Sequence, residues 1–239
     1  MPDAPPTIQA VAFDLDDTLY AERDYVRSGY RAVARHLQQL PPPRGGPPRQ
    51  TAAPTYEGWL WARFLGGQSE KAFDALNDCF HLGLTRPQIL ELVEVYRRHR
   101  PDIRPADGIP EMLGRLHADF RLALLTDGYL PAQELKAEAL KVRRFFDVVV
   151  FTEEIGRAAW KPSPAGFETV RKQLDLPHES LAYVADNPAK DFLAPNQLGW
   201  RTIQIIRAGQ IHAHRPAPPA GAPQIIARSP GELHAALAR

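Results

Sequence analysis

The stretch Val11-Ala-Phe-Asp-Leu-Asp-Asp-Thr-Leu19 decides the fold, because its apolar first residues give way abruptly to acidic ones. An apolar run without alternation is typical of a strand buried on both faces of a parallel sheet. Ligand sites in open α/β sheets lie beyond the carboxyl ends of such strands, where Asp14, Asp16 and Asp17 stand. Side chains two apart on an extended chain point the same way, so Asp14 and Asp16 can share one site. Two ionised carboxylates that close repel each other and require a proton or a cation nearby.

Downstream, the pattern is first helical and then alternates between strands and helices. Apolar residues from Val26 to Leu40 recur at helical intervals, and further helices are predicted up to about residue 100. From there strands are predicted at residues 121–125, 147–152, 181–185 and 201–206, with an edge strand at 224–227. This alternation predicts an α/β fold: a parallel sheet covered by helices on both faces, with a helical insertion after the first strand.

The segment from Pro41 to Pro54 interrupts the helical block, because its prolines and glycines exclude both a helix and a central strand. A polyproline ligand for a partner protein is one interpretation of such a segment. We favour a surface loop.

Composition excludes several classes of function. The net charge is +1, so we expect neither a nucleic-acid nor a membrane-surface partner. Residues 1–10 lack the apolar segment of a signal peptide, and no apolar run approaches the length of roughly 20 residues that a membrane span needs. Cys79 is the single cysteine and is interpreted as a buried thiol. We expect a cytoplasmic protein, either a monomer or a homodimer.

The ends of later strands supply the hydroxyl, the backbone amides, the positive charge and the further carboxylates that Asp14 and Asp16 lack. Thr126-Asp-Gly128 offers a hydroxyl and two backbone amides, and glycine leaves its amide unobstructed. Lys161 offers a positive charge, and Asp186 and Asp191 add carboxylates. Mg²⁺ prefers a few carboxylates together with water and phosphate oxygens. These residues therefore form an inventory suited to Mg²⁺-assisted phosphoryl transfer.

Four motifs resemble those of the haloacid dehalogenase (HAD) superfamily, over nearly the whole chain. They stand in the family's order as Asp14-Leu-Asp-Asp-Thr18, Leu125-Thr-Asp-Gly128, Lys161-Pro-Ser-Pro164 and Asp186-Asn-Pro-Ala-Lys-Asp191. The resemblance implies a Rossmann-like core formed by residues 1–22 and 101–239, and a helical C1 cap formed by residues 23–100. Such caps close over the site, exclude water and select the leaving group. One departure is Ala185, which precedes Asp186 where the family commonly has glycine.

The resemblance also implies catalytic roles. Asp14 would be the nucleophile that attacks phosphorus and forms an aspartyl-phosphate. Asp16 would protonate the leaving oxygen and then take a proton from the water that hydrolyses this intermediate. Lys161 would offset negative charge between the nucleophile and the phosphate.

Phosphate-binding and metal-binding roles follow from the same resemblance. Phosphate oxygens would be held by Thr126, by the amides of Asp127 and Gly128, and by Lys161. The Mg²⁺ ligands would be Asp14, the backbone carbonyl of Asp16, and Asp186. Asp191 would complete the metal site from behind these ligands or through a water bound to the ion.

Alternatives stay open for each motif and for the whole chain. Taken singly, the motif residues also fit helix caps, turns and exposed charges. The leading function is phosphatase action on a small phosphorylated metabolite, such as a sugar phosphate, since the motifs look most like phosphatases of the N-acylneuraminate-9-phosphatase type. A phosphosugar mutase shares all four motifs, and a non-catalytic binding protein with the same fold is a third reading. Haloacid dehalogenation does not require a second acid such as Asp16, so the sequence does not favour that reaction.

Overall fold

In the computed structural model, which describes residues 7–40 and 52–237, the first strand lies inside a six-stranded parallel sheet. The strands are β1 (Ala10–Phe13), β2 (Arg121–Thr126), β3 (Val148–Phe151), β4 (Leu181–Ala185), β5 (Arg201–Ile205) and β6 (Ile225–Ala227). All four residues of β1 are buried, as its unbroken apolar run predicts.

The strand order is β3-β2-β1-β4-β5-β6, so the sheet grows outward from β1 in two directions. The chain runs from β1 to β2 and β3 on one side, then returns to add β4, β5 and β6 on the other. Phe13 at the end of β1 pairs with Leu124 of β2 and with Val184 of β4. The reversal at β1 creates a topological switch point, and crevices at such points bind ligands in open α/β sheets.

The chain folds as two compact units: Met1–Arg23 with Ile103–Arg239, and Asp24–Asp102. The second unit is helical. Its helices are α1, which begins in the first unit (Glu22–Gln39), α2 (Ala53–Leu65), α3 (Ala72–Cys79) and α4 (Arg86–Arg98). Fully buried leucines from all four helices meet in its core: Leu37, Leu60, Leu76 and Leu92. Helix α4 starts with a capping box, in which the Thr85 amide donates to the Gln88 side chain at 2.9 Å.

The remaining helices belong to the first unit. They are α5 (Ile109–Asp119), α6 (Ala132–Ala139), α7 (Thr152–Ile155), α8 (Ala165–Leu174), α9 (Leu193–Gln197) and α10 (Pro230–Leu237). Aromatic side chains from α8, from β4 and from the residues just before α9 and β5 fill one core cluster: Phe167, Tyr183, Phe192 and Trp200. Each is fully buried, and such side chains supply much of the apolar area that holds helices against a sheet.

The predicted fold class is confirmed, and several local predictions are wrong. Pro54 was assigned to the interrupting segment but stands in the first turn of α2, where proline's missing amide costs nothing. Residues 41–51 of that segment lie outside the described residues. Cys79 is exposed rather than buried, because it is the last residue of α3 and lies beyond Leu76, the last residue that this helix buries. The sequence pattern predicts a helix from Pro131 to Val142, but α6 stops at Ala139, and Lys141 adopts the left-handed conformation (φ 54°).

Within residues 7–40 and 52–237, no helix has both the length and the apolar character required to cross a bilayer.

Candidate active site

Three of the four motifs meet at the carboxyl edge of the central strands. Asp14 follows β1 directly, and its amide donates to the Val184 carbonyl of β4 at 2.9 Å. Thr126 ends β2, and Asp186 follows β4. Because β1 lies between β2 and β4 in parallel register, these residues stand side by side at the switch point. The sheet topology therefore gathers residues more than 100 positions apart in the chain.

Asp14, Asp186 and Asp191 form a buried acidic cluster. Each offers a carboxylate oxygen, and these atoms lie within 4.8 Å of one another. Burial raises the pKa of Asp14 to about 6, although the Lys161 charge opposes this shift. Burial together with the Asp14 and Asp191 charges raises the pKa of Asp186 to about 9. The cluster therefore lacks enough positive charge of its own to hold three ionised acids.

Lys161 is a cation in direct contact with this cluster. Its amine lies 2.5 Å from Asp14 Oδ1 and 2.8 Å from Asp191 Oδ1, and it donates to the Tyr183 hydroxyl at 2.8 Å. Burial alone would lower the pKa of Lys161, but the Asp14 and Asp191 carboxylates raise it well above its usual value. Lys161 is therefore charged at any physiological pH, and it stabilises the ionised form of Asp14.

The Asp127 side chain fixes the segment that carries Lys161. Its carboxylate accepts hydrogen bonds from the backbone amide of Lys161 (3.1 Å to Oδ2) and from the Thr152 hydroxyl (2.8 Å). The amine of Lys190 lies 3.5 Å from Asp127 Oδ2. From the sequence, only the backbone amide of Asp127 was assigned a role. The structure adds a structural role for its carboxylate, which joins the second and third motifs.

Thr126 and Gly128 contact the same side chain of α6. The Thr126 hydroxyl donates to Gln133 Oε1 at 3.2 Å. Gly128 has φ 139°, and a Cβ at this position would lie 2.3 Å from Gln133 Nε2. Glycine is required here both by its backbone angle and by this close approach.

The Asp16 carboxylate points to α6, not into the acidic cluster. It accepts hydrogen bonds from Lys136 (2.8 and 2.9 Å), from Gln133 (3.1 Å) and from the Tyr20 hydroxyl. Burial would raise the pKa of Asp16, but Lys136, Tyr20 and Gln133 together lower it. The predicted metal contact of Asp16 concerns its backbone carbonyl and stays a prediction. Lys136 and Gln133 were not identified from the sequence.

Asp17 shapes the turn after β1. It has φ 53°, and its carboxylate accepts hydrogen bonds from the amides of Glu22 (2.8 Å) and Ile211 (2.6 Å). Arg207 donates to the backbone carbonyls of Asp17 (2.8 Å) and Thr18 (2.5 Å). These bonds hold the first motif in place from the segment after β5.

The donor set of the acidic cluster fits a hard divalent cation. Three buried carboxylates are available, and Asp186 Oδ2 is buried without a hydrogen-bond partner. An unpaired buried oxygen is costly, and a cation would remove that cost as well as the mutual repulsion of the acids. Carboxylate oxygens are the ligands that Mg²⁺ prefers. The structure sets Asp191 within the cluster itself, in contact with Lys161, whereas the sequence-based prediction placed it behind the ligands or on a water bound to the ion.

The raised pKa of Asp186 predicts a pH-dependent stability of the metal-free protein. Below about pH 4 this carboxyl is protonated in both the folded and the unfolded state. Between there and about pH 9 the folded state keeps a proton that the unfolded state has lost, so the free energy of unfolding falls as the pH rises. Asp186→Asn does not titrate, and we expect its stability to fall less steeply over this window. Urea unfolding of both proteins in chelator, at several pH values, measures the difference; parallel pH profiles would contradict the assignment.

The chain is similar to known proteins in both sequence and fold. The model of the haloacid dehalogenase-like hydrolase family matches residues 8–199. A glyceraldehyde 3-phosphate phosphatase from Methanopyrus kandleri is 28% identical over 218 residues, which cover 84% of each chain. The structure of the HAD-hydrolase YfnB from Bacillus subtilis, bound to magnesium, has a TM-score of 0.65 at 20% identity and covers 97% of this chain and 99% of its own. A 2-haloacid dehalogenase from Pseudomonas syringae has a TM-score of 0.64 at 23% identity, with 98% and 99% covered.

The two solved structures support the fold alone, because both are under 25% identical to this chain. The family model is the stronger finding, since it spans most of the chain and includes all four motifs. The strand order and the residues gathered at the end of β1 agree with it. This chain belongs to the haloacid dehalogenase-like hydrolase family.

Proposed function

We propose that this protein is a Mg²⁺-dependent phosphatase that hydrolyses a small phosphorylated metabolite through an aspartyl-phosphate on Asp14. The observation that carries the proposal is the contact between the buried Asp14 carboxylate and the Lys161 amine, beside a cluster of further acids. A pKa of about 6 leaves Asp14 mainly ionised at neutral pH, which is the form a nucleophile needs.

In the first half of the proposed reaction, an Asp14 oxygen forms a bond to phosphorus and the bond from phosphorus to the leaving oxygen breaks. Asp16, which carries the proton that it took from water in the preceding turnover, gives that proton to the leaving oxygen. Thr126 and the amides of Asp127 and Gly128 hold the phosphoryl oxygens. Lys161 offsets the negative charge that nucleophile and phosphate bring together.

In the second half, water attacks phosphorus and Asp16 takes the proton that the water loses. The ion pair with Lys136 favours the ionised form of Asp16, which is the form that accepts this proton. Inorganic phosphate leaves, and the Asp14 carboxylate is restored. The proposed cycle needs no residue outside the first unit.

Magnesium would be held by the carboxylates of Asp14 and Asp186, by the Asp16 carbonyl, and by Asp191 directly or through a water. When bound, it would supply positive charge that offsets the repulsion between phosphate and carboxylates. The buried, unpaired oxygen of Asp186 supports this assignment.

A small phosphorylated sugar or similar metabolite is the substrate class we propose. The name of the Methanopyrus kandleri relative supports a short sugar phosphate. Asp16 argues against haloacid dehalogenation, since that reaction needs no proton donor for a leaving oxygen. We also propose that the helical unit, residues 23–100 in the sequence-based assignment, serves as the C1 cap that selects the leaving group.

Phosphate release from a panel of substrates tests the proposal. The panel holds sugar phosphates, nucleotides and an aryl phosphate, each assayed with Mg²⁺ and with chelator, beside Asp14→Asn as the inactive control. We expect release that depends on Mg²⁺ and is lost in the variant. If no substrate releases phosphate, the phosphatase proposal fails. Migration of phosphate within a sugar phosphate, without release, would instead favour the phosphosugar mutase, which shares all four motifs.

A further inference from the structure

Lys136 is a buried cation on α6 whose amine pairs with both carboxylate oxygens of Asp16. The two distances are 2.8 and 2.9 Å, and the Lys136 side chain is only 5% exposed. Removing an ammonium group from water costs several kcal/mol unless a partner compensates. A lysine in this environment therefore depends on Asp16, and Asp16 depends on it for two of its hydrogen bonds.

Gln133 lies one turn earlier on the same face of α6 and joins Asp16 to the second motif. Its amide nitrogen donates to Asp16 Oδ2 at 3.1 Å, while its amide oxygen accepts from the Thr126 hydroxyl at 3.2 Å. Residues three apart on a helix lie side by side, so Lys136 and Gln133 reach the same carboxylate. The Tyr20 hydroxyl supplies another donor from the loop after β1. With donors on both oxygens, the direction of the Asp16 carboxylate is determined by α6.

We infer that Lys136 is a positioning residue which, together with Gln133, orients the Asp16 carboxylate for proton transfer from the water that hydrolyses the phosphoenzyme. This inference rests on the proposed phosphatase function. In the step concerned, the water oxygen bonds to phosphorus and the bond between phosphorus and Asp14 breaks, its electron pair returning to Asp14. The water proton passes to Asp16, and inorganic phosphate is released. A misdirected carboxylate slows this step, because proton transfer requires hydrogen-bond distance to the water.

Nitrophenyl phosphate separates this step from the one before it. Nitrophenolate leaves as an anion, so formation of the phosphoenzyme needs no proton from Asp16. The value of kcat/KM reports that first step, whereas kcat also reports hydrolysis of the phosphoenzyme. A defect that concerns only the orientation of Asp16 therefore lowers kcat and leaves kcat/KM nearly unchanged.

Lys136→Met is the variant to test, with stopped-flow detection of nitrophenolate. General acid–base catalysis is commonly worth 10²–10⁴-fold, so we expect kcat to fall at least about tenfold while kcat/KM stays within about threefold. We also expect a burst of nitrophenolate equal to the enzyme concentration, since the phosphoenzyme accumulates. Lys136→Gln, which keeps a donor, should give a smaller fall in kcat.

Lys172→Met is the matched control, because Lys172 is exposed on α8 in the same unit; neither parameter should change. Equal losses of kcat and kcat/KM in folded Lys136→Met, without a burst, would overturn the inference. If this variant does not fold, Gln133→Leu is measured in the same way. A fall in kcat with kcat/KM unchanged supports the inference, and equal losses of both overturn it. Turnover by the unaltered enzyme tests the phosphatase proposal separately. Failure of that proposal is therefore seen in the unaltered enzyme, whereas failure of the positioning inference is seen in the variants.

Discussion

Asp14→Asn is expected to lower kcat by at least about 10⁴-fold, the scale seen when an enzyme loses its nucleophile. Asparagine keeps the shape of aspartate but cannot form the acyl phosphate. The fold should persist, because the substitution removes one of three mutually repelling buried acids and leaves Lys161 paired with Asp191. Steady-state kinetics on the best substrate of the panel, with a urea unfolding curve, measures both effects.

Asp119→Asn serves as the control for removal of a carboxylate, since Asp119 ends α5 away from the acidic cluster. We expect normal kinetics from it. Retention of turnover by Asp14→Asn would remove Asp14 from the nucleophile role. It would also remove the aspartyl-phosphate from the proposed mechanism.

Lys161→Met is expected to impair both stability and catalysis. Removing one partner of a buried ion pair typically costs about 3–5 kcal/mol, and here Asp14 and Asp191 both lose their contact with the same amine. We therefore expect the free energy of unfolding, measured in chelator near neutral pH, to fall by about 3 kcal/mol. Loss of one preorganised charge should lower kcat by about 10²–10³-fold under conditions where the variant stays folded.

The double variant Asp14→Asn/Lys161→Met shows whether the stability loss comes from this ion pair. With both charges removed, we expect less destabilisation than in Lys161→Met alone, because fewer buried charges are left unpaired. Strictly additive losses would mean that Asp14 and Lys161 are not energetically coupled, and the charge-offsetting role of Lys161 would lose its support.

The fold and the family were predictable because their signals are local. The buried run at Val11–Phe13, the alternation of strands and helices, and the four motifs can each be read from short stretches of sequence. The prediction that acids at strand ends share an edge needs only parallel strands, and the structure brings Asp14, Asp186 and Asp191 together there. Their catalytic roles stay predictions.

The supporting contacts of the site were not predictable from such signals. Gln133 and Lys136 occupy an ordinary helical stretch, and nothing in the sequence shows that this face of α6 meets Asp16, 117 and 120 positions earlier. Asp127 belongs to a motif, but the motif does not indicate that its carboxylate binds the amide of Lys161. Such contacts depend on how helices and loops pack on the sheet. The prediction that Cys79 is buried was wrong, because the average tendency of cysteine to be buried does not hold at this helix end.

The central position of β1 also has a consequence for biosynthesis. The first motif leaves the ribosome well before β4, and Asp186 follows this later strand, which must cross back to pair with β1 from its far side. Contacts between residues so distant in the chain form slowly, since a long loop must be closed first. Until β4 has been translated and has paired, the acids of the nascent chain stay apart and cannot hold a cation in common. The catalytic centre is thus completed only after β4 and the segment that carries Asp186 and Asp191 have left the exit tunnel.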